Sequence, residues 1–429
     1  MRYLRLITAW VLITVPCLAY SVLTHEAIID SVWDTEIQPI LLARFPNTSP
    51  DDLRKAHAYV YGGCLGQDMG YAPFSPRLWS DLTHYVRTGD LVETMFRDAQ
   101  NVNEYAYAIG ALAHYTSDRV GHPTINRITA ISYPKLRKKY GDVVTYGDSP
   151  SMHIKTEFSL DVVQVARQLY APDAYHAFVG FEVAQSLLER AFQETYGFEL
   201  TDIFANEDLA FGTFRWSVGS LIPEMTKVAW DSKRKDIAQL SPTVKRAQYI
   251  YSLPRRKFEQ EWGKEYKRPG IGTRLLVFIF RLIPNFGPFK ALRFRPVTPQ
   301  GEKMFLASYD ATASEYRNAL RAVRAGNLHL TNKNLDTGAE TAPGEYRLAD
   351  NTYAKLVDKL AQKNFAPLTP ALQANILEYY SRADRSAIPP KTLAQLEQLK
   401  QLALNPRAAA SQDSAPLDHS DQQDGDGDH

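Results

Sequence analysis

Cysteine is scarce in this chain of 429 residues, which contains only Cys17 and Cys64. Cys17 lies within an apolar run from Leu6 to Leu18. This run follows Arg2 and Arg5 and has the length and composition of a secretory signal peptide. Its removal would leave a single cysteine and exclude an intramolecular disulfide. We therefore expect the mature protein to be stabilised by core burial and bound metal rather than by cross-links.

Long hydrophobic runs and an excess of charge of one sign are also missing. The N-terminal apolar run is short for a transmembrane span, so we expect cleavage after Ala19 and export to the periplasm or the medium. An uncleaved anchor is the main alternative. The formal net charge is +1, so the chain lacks the basic footprint of a dedicated nucleic-acid binder.

The alternation typical of strands is scarce, whereas helical periodicity recurs along the chain. Helices are predicted from Asp51, with a break at Gly62-Gly63, from Val102 to His122, with Pro123 ending the helix, and from Leu372 to Leu402. The sequence thus predicts an all-α fold, a multi-helix bundle with a second helical C-terminal region. The predicted segments are a signal peptide over 1–19, a catalytic domain over 20–245, a helical region of unknown role over 246–405 and a disordered acidic tail over 406–429.

Histidine and carboxylate residues form a dense set in the first half of the chain, and five of its ten histidines belong to this set. Neutral imidazole and carboxylate are the ligands that a hydrolytic zinc ion prefers. On the predicted helix, His114, Asp118 and His122 are separated by four residues each, so successive side chains rotate by only about 40° and share one stripe. Asp118 in the middle can give one oxygen to each of two metal ions. The complete set is His25, Asp68, His84, His114, Asp118, His122, His153 and Glu157.

The signals within this set differ in strength. His153 and Glu157 alone are a weak signal, because such pairs are common on solvated helix faces. The stripe on the long helix is more specific, since two histidines and an acid on an apolar face would be costly to bury without partners. Asp68 and His84 lie in stretches punctuated by glycine or proline, where we expect loops that wrap the cluster from the side.

Short motifs surround these residues: Thr24-His25-Glu26, Gln67-Asp68, Leu82-Thr83-His84-Tyr85, His114-Tyr-Thr-Ser-Asp118-Arg-Val-Gly-His122 and His153-x-x-x-Glu157. Over residues 20–205 this ordered pattern resembles the zinc-dependent phospholipase C superfamily, which includes bacterial phospholipases C and the catalytic domain of glycosylphosphatidylinositol phospholipase D. Fungal zinc nucleases that act on single strands share the same trinuclear design. Two features depart from the secreted phospholipases: the spacing of Asp118 and His122 is closer to the phospholipase D branch, and Tyr20 stands where those enzymes start with Trp.

The resemblance implies up to three zinc ions, bound by imidazoles, carboxylates and the free amino terminus of the mature chain. The implied ligand groups are Asp68, His84, His114 and Asp118 for one ion, His122, His153 and Glu157 for a second, and His25, Asp118 and Tyr20 for a third. Asp68 would also be catalytic, by orienting a water molecule or accepting its proton.

The resemblance further implies an exported zinc-dependent phosphodiesterase, with phospholipase C activity on phospholipid headgroups as the first expectation. The alternatives are cleavage of the phospholipase D type, a single-strand nuclease with the same metal chemistry, and a non-catalytic zinc-stabilised binding module. The expected partner is a phospholipid or another phosphodiester, with a transient contact to a membrane surface. The sequence leaves the headgroup and the oligomeric state open.

The implied role of Tyr20 makes the third ligand group depend on signal cleavage, because its α-amine exists only in the mature chain. We expect mass spectrometry of the exported protein to find Tyr20 at its N-terminus. A chain that keeps extra residues before Tyr20 should fold but hydrolyse substrate poorly. Equal activity with a bulky N-terminal extension would exclude the α-amine as a ligand.

Overall fold

The computed structural model describes residues 22–167, 169, 182–218, part of 227–249 and 294–404. Within these residues the chain forms fifteen α-helices and no strand, which confirms the predicted all-α fold. None of the described helices is both long and apolar enough to cross a membrane. The predicted signal segment, Tyr20 and the acidic tail lie outside the described residues.

Among the described residues, single turns of other helical types accompany the α-helices. A π-helical turn covers Trp33–Ile37, and 3₁₀ turns cover Gln67–Tyr71, Leu200–Asp202 and Arg385–Ala387. The α-helices are α1 (Val22–Asp30), α2 (Gln38–Arg44), α3 (Pro50–Gly66), α4 (Arg77–Tyr85), α5 (Thr88–Asp98), α6 (Val102–Ser132), α7 (Pro134–Tyr140), α8 (Pro150–Ala166), α9 (Gln185–Tyr196), α10 (Glu207–Trp216), α11 (Arg246–Tyr249), α12 (Pro299–Ala325), α13 (Arg347–Gln362), α14 (Pro370–Ser381) and α15 (Pro390–Leu404).

Helix α6 is the centre of the fold. It is 31 residues long, and most of its side chains between Glu104 and Asp118 are buried. Its N-terminus is capped by Asn101, whose side chain accepts hydrogen bonds from the backbone amides of Asn103 and Glu104. Helices α3 and α12 make the most extensive contacts with it. A helix surrounded in this way needs apolar residues on most of its faces, and the sequence of α6 provides them.

Two glycines allow the backbones of α3 and α6 to touch. A Cβ atom added at Gly63 would lie 2.0 Å from the carbonyl oxygen of Tyr107, and one added at Gly110 would lie 2.0 Å from that of Val60. The predicted break at Gly62-Gly63 is therefore wrong, because α3 continues to Gly66. Glycine at these positions allows close helix packing, and the packing offsets the low helix propensity of glycine.

Two other predicted helix ends differ from the structure. Helix α6 passes through Pro123 and continues to Ser132. Proline removes one backbone hydrogen bond, but the buried residues on both sides of it hold the helix together. The stretch predicted as one helix from Leu372 to Leu402 forms α14 and α15 instead, and α15 begins at Pro390, where proline is tolerated in the first turn.

The described C-terminal helices share a core with the N-terminal ones. One continuous cluster of buried apolar residues extends from Val22 in α1 to Leu399 in α15. The hydroxyl of Tyr316 in α12 donates a hydrogen bond of 3.0 Å to the carbonyl of Ile109 in α6. The predicted domain boundaries stay a prediction, but the packing shows that the C-terminal helices support the N-terminal ones.

The close contact of α3 and α6 predicts that adding one methyl group at this contact strongly lowers the stability of the protein. We expect Gly110→Ala to lower the free energy of unfolding by more than about 2 kcal/mol, because the two backbones must separate. Gly212 in α10 is exposed, and a Cβ atom added there would have no other atom within 4 Å. Gly212→Ala is the matched control and should change stability between zero and a gain of about 1 kcal/mol. Denaturant unfolding measures both, and an equal effect of the two variants would contradict the close packing.

Candidate metal centre

Five separate elements bring the predicted ligand set to one place. Helix α1 supplies one member, the 3₁₀ turn Gln67–Tyr71 and α4 one each, α6 three and α8 two. Every one of these side chains is at most 2% exposed. The residues brought together are His25, Asp68, His84, His114, Asp118, His122, His153 and Glu157. Tyr20 lies outside the described residues.

The elements that carry Asp68 and His84 differ from the expected loops. Asp68 lies in the 3₁₀ turn that continues directly from α3, and His84 lies in the last turn of α4. The hydroxyl of Ser80 accepts a hydrogen bond from the amide of Gly70 and donates one to the carbonyl of Gln67. These bonds fix α4 against the turn, so regular structure rather than a loop positions both side chains.

One group of ligand atoms surrounds Oδ2 of Asp118. This oxygen lies 3.4 Å from Nε2 of His84 and 3.2 Å from Nε2 of His114, and Nε2 of His84 lies 3.4 Å from Oδ1 of Asp68. Two ligands of one tetrahedral zinc ion are about 3.3 Å apart. The spacing of this group therefore matches the edges of a zinc tetrahedron.

A second group faces the other oxygen of the same carboxylate. Oδ1 of Asp118 lies 3.4 Å from Nε2 of His25 and 3.5 Å from Nε2 of His122. His122 Nε2 also lies 3.5 Å from Oε1 of Glu157, and His153 Nε2 lies 2.9 Å from the same oxygen. Asp118 thus presents its two oxygens to different groups of histidines, as a bridging ligand would.

Backbone carbonyls determine which nitrogen of two histidine rings faces the cluster. His84 Nδ1 lies 2.7 Å from the carbonyl oxygen of Ser80, and His114 Nδ1 lies 2.9 Å from that of Cys64. Nδ1 must carry the proton to donate to a carbonyl, so in the neutral ring, the form that binds metal, the lone pair is on Nε2. Both rings are therefore oriented with the nitrogen that can bind metal towards Asp118.

The electrostatics of the cluster favour a bound cation. Although burial raises the pKa of Asp118, the imidazoles of His114 and His122 lower it well below its usual range. Although burial lowers the pKa of His84, the carboxylates of Asp118 and Asp68 raise it to about 10. The buried carboxylate of Asp118 therefore creates a field that attracts positive charge.

The donor set fits zinc. Among the described residues, the buried carboxylate oxygens of Asp68 and Asp118 have no hydrogen-bond donor other than the imidazole nitrogens that lie 3.2–3.5 Å from Asp118 and 3.4 Å from Asp68. Leaving buried carboxylate oxygens without a donor is costly, and a coordinated cation removes that cost. Nitrogen and oxygen donors with spacings of about 3.3 Å are those of a zinc site, whereas Mg²⁺ and Ca²⁺ sites consist mainly of oxygen.

One neighbour of the cluster was missed by sequence reasoning. Asp336 is 2% exposed, and its Oδ1 lies 3.2 Å from Nδ1 of His122. It belongs to a segment between α12 and α13 that carries none of the recognised motifs. An isolated aspartate followed by Thr337 and Gly338 is typical of an ordinary turn, so nothing in the sequence singled it out.

A buried cluster of imidazoles and carboxylates on an all-helical scaffold is an arrangement that can hold zinc ions. Residues 24–204 match the model of a family described as zinc dependent phospholipase C, so this region of the chain is similar to that family. The match contains every described member of the predicted ligand set. No curated protein and no solved structure matches the chain significantly.

The two faces of Asp118 predict how its removal affects metal content. We expect Asp118→Ala to lose more than one equivalent of zinc per chain, because each carboxylate oxygen faces a different group of histidines. Elemental analysis of the purified protein measures the loss. The control is Asp310→Ala, which removes an exposed carboxylate on α12 and should leave the zinc content unchanged. Full zinc occupancy in Asp118→Ala would contradict the bridging role.

Proposed function

We propose that the protein is an exported phospholipase C that hydrolyses the headgroup phosphodiester of phospholipids with a cluster of up to three zinc ions. The observation that carries this proposal is the pair of ligand groups on either side of Asp118. Two metal ions held on either side of one carboxylate would stabilise the attacking water oxygen and the leaving glycerol oxygen when a phosphodiester is cleaved. The family of residues 24–204 supports a phospholipid as the substrate.

The side chains around the cluster have separate tasks in this proposal. When bound, zinc lowers the pKa of a coordinated water towards neutrality and withdraws charge from phosphate oxygens. The carboxylate of Asp68 orients the attacking water and accepts its proton. Water adds to phosphorus, the bond to the glycerol oxygen breaks, and the proton taken from water passes to that oxygen, so the products are diacylglycerol and a phosphorylated headgroup. The burial of Asp68 and Asp118 excludes bulk water, which strengthens these electrostatic interactions.

Aromatic and basic residues beside the cluster fit a headgroup phosphate. The side chain of Arg77 is 44% exposed, and its guanidinium carbon lies 4.9 Å from the ring centre of Tyr71 and 5.4 Å from that of Tyr146. These rings lie 6.2 Å from the ring of His84 and 5.7 Å from that of His153, respectively. The three residues therefore connect the surface to both parts of the cluster, with a cation suited to an anionic phosphate.

A comparison of substrates tests the proposal directly. Zinc-loaded protein is incubated with vesicles of phosphatidylcholine, phosphatidylethanolamine or phosphatidylinositol, and separately with single-stranded DNA and RNA. We expect diacylglycerol and phosphorylated headgroup from at least one lipid. His114→Ala should reduce the rate at least a hundredfold, because it removes a ligand atom 3.2 Å from Asp118. Mass spectrometry identifies the products.

The matched control is a histidine far from the cluster. His329 has a side chain that is 87% exposed, and His329→Ala should retain full activity. Release of phosphatidic acid would instead indicate cleavage of the phospholipase D type, and nucleotide release without lipid turnover would indicate a nuclease. Zinc binding without hydrolysis of any phosphodiester would indicate a binding module.

A further inference from the structure

The segment between α12 and α13 lies directly against the candidate metal centre. It belongs to the part of the chain beyond residue 204, where the family match ends. Backbone and side-chain hydrogen bonds attach it to α4, α5 and α6. The amide of Leu335 donates to the carbonyl of His84 at 3.0 Å. The side-chain amide of Asn126 donates to the carbonyl of Asp336 at 2.8 Å.

Further contacts fix the two ends of this segment. Thr88 exchanges hydrogen bonds of 2.9 Å with the backbone of Lys333, and the hydroxyl of Tyr115 donates to the carbonyl of Thr331 at 2.6 Å. Gly338 has a φ of 70°, and a Cβ atom there would lie 2.5 Å from the carbonyl oxygen of Arg119. Only glycine combines this backbone conformation with such a close approach to α6.

The carboxylate of Asp336 is held in one orientation. Its Oδ2 accepts hydrogen bonds from the hydroxyls of Tyr85, at 3.0 Å, and Tyr346. Its Oδ1 then faces His122, with Nδ1 of the ring 3.2 Å away.

The two nitrogens of His122 have different neighbours. Nε2 faces Asp118 and Glu157, and Nδ1 faces Asp336, whose carboxylate also lies within 4.8 Å of a ring nitrogen of His153. A carboxylate that accepts the Nδ1 proton fixes the tautomer and the orientation of a histidine, and it increases the basicity of the nitrogen that binds metal. His84 and His114 have neutral backbone carbonyls in the corresponding position. His122 therefore has the stronger acceptor.

We propose that Asp336 is a positioning residue of the metal centre: it accepts the Nδ1 proton of His122 and thereby strengthens the zinc site formed by His122, His153 and Glu157. The C-terminal region has a defined role in this inference, because it contributes to the metal centre through Asp336. The inference rests on the proposed zinc function but goes beyond the family match.

The test measures zinc affinity rather than turnover. Zinc-saturated full-length protein is titrated with a chelator of known affinity, and the zinc retained per chain is followed by elemental analysis. We expect Asp336→Ala to lower the binding affinity for one zinc ion by roughly ten- to a hundredfold and to leave the affinities for the other zinc ions unchanged. Asp336→Asn keeps an oxygen that can accept the Nδ1 proton but loses the charge, so it should retain zinc better than Asp336→Ala. This partial rescue also tests the role if Asp336→Ala does not fold.

The matched control is Tyr115→Phe. It removes the hydroxyl that holds the same segment at Thr331 and touches neither Asp336 nor His122, so its chelator titration should match that of the wild type. A titration of folded Asp336→Ala or Asp336→Asn identical to the wild type would overturn the inference. So would loss of one zinc equivalent from Asp336→Ala even at saturating zinc, because that result would make Asp336 a direct ligand. Wild-type protein that binds no zinc would instead refute the proposed function.

Discussion

Asp118 places a negative charge in the middle of the longest of the described helices, at a position with no exposed surface. A carboxylate is buried only where positive charge or strong donors surround it, because its loss of hydration is large. Histidines from α1, α4 and α6 meet this requirement from two sides of the same group. Burial of the Asp118 carboxylate therefore requires that these helices, and the turn that carries Asp68, are held close to one another.

Helix packing sets the distances that this arrangement needs. The contact of Gly63 and Gly110 brings α3 so close to α6 that the carbonyl of Cys64 reaches Nδ1 of His114. Residues with larger side chains at these two positions would move the carbonyl away from the ring. Helix α3 thus orients His114 through a backbone carbonyl and contributes no ligand side chain itself. Asp68 lies in the 3₁₀ turn that follows α3.

The parts of the site with a local signature could be read from the sequence. The spacing of His114, Asp118 and His122 follows from helix geometry alone, and the structure places all three on one face of α6. The helical setting of His84 was missed because local glycine and proline residues suggested loops, while packing against the preceding turn decided the outcome. Asp336 had no signature, since its role depends on a contact between distant parts of the chain.

The contact of Asp336 with α6 has a consequence for the order in which parts of the protein fold during synthesis. Asn126 and Asp336 are separated by 210 residues, and Tyr85 and Asp336 by 251. Closing such a long loop costs chain entropy, so we expect these contacts to form late in folding. A ribosome would have finished most of the chain before this carboxylate could reach α6. A fragment that stops at the end of the family match would therefore retain His122 but lack the acceptor for its Nδ1 proton.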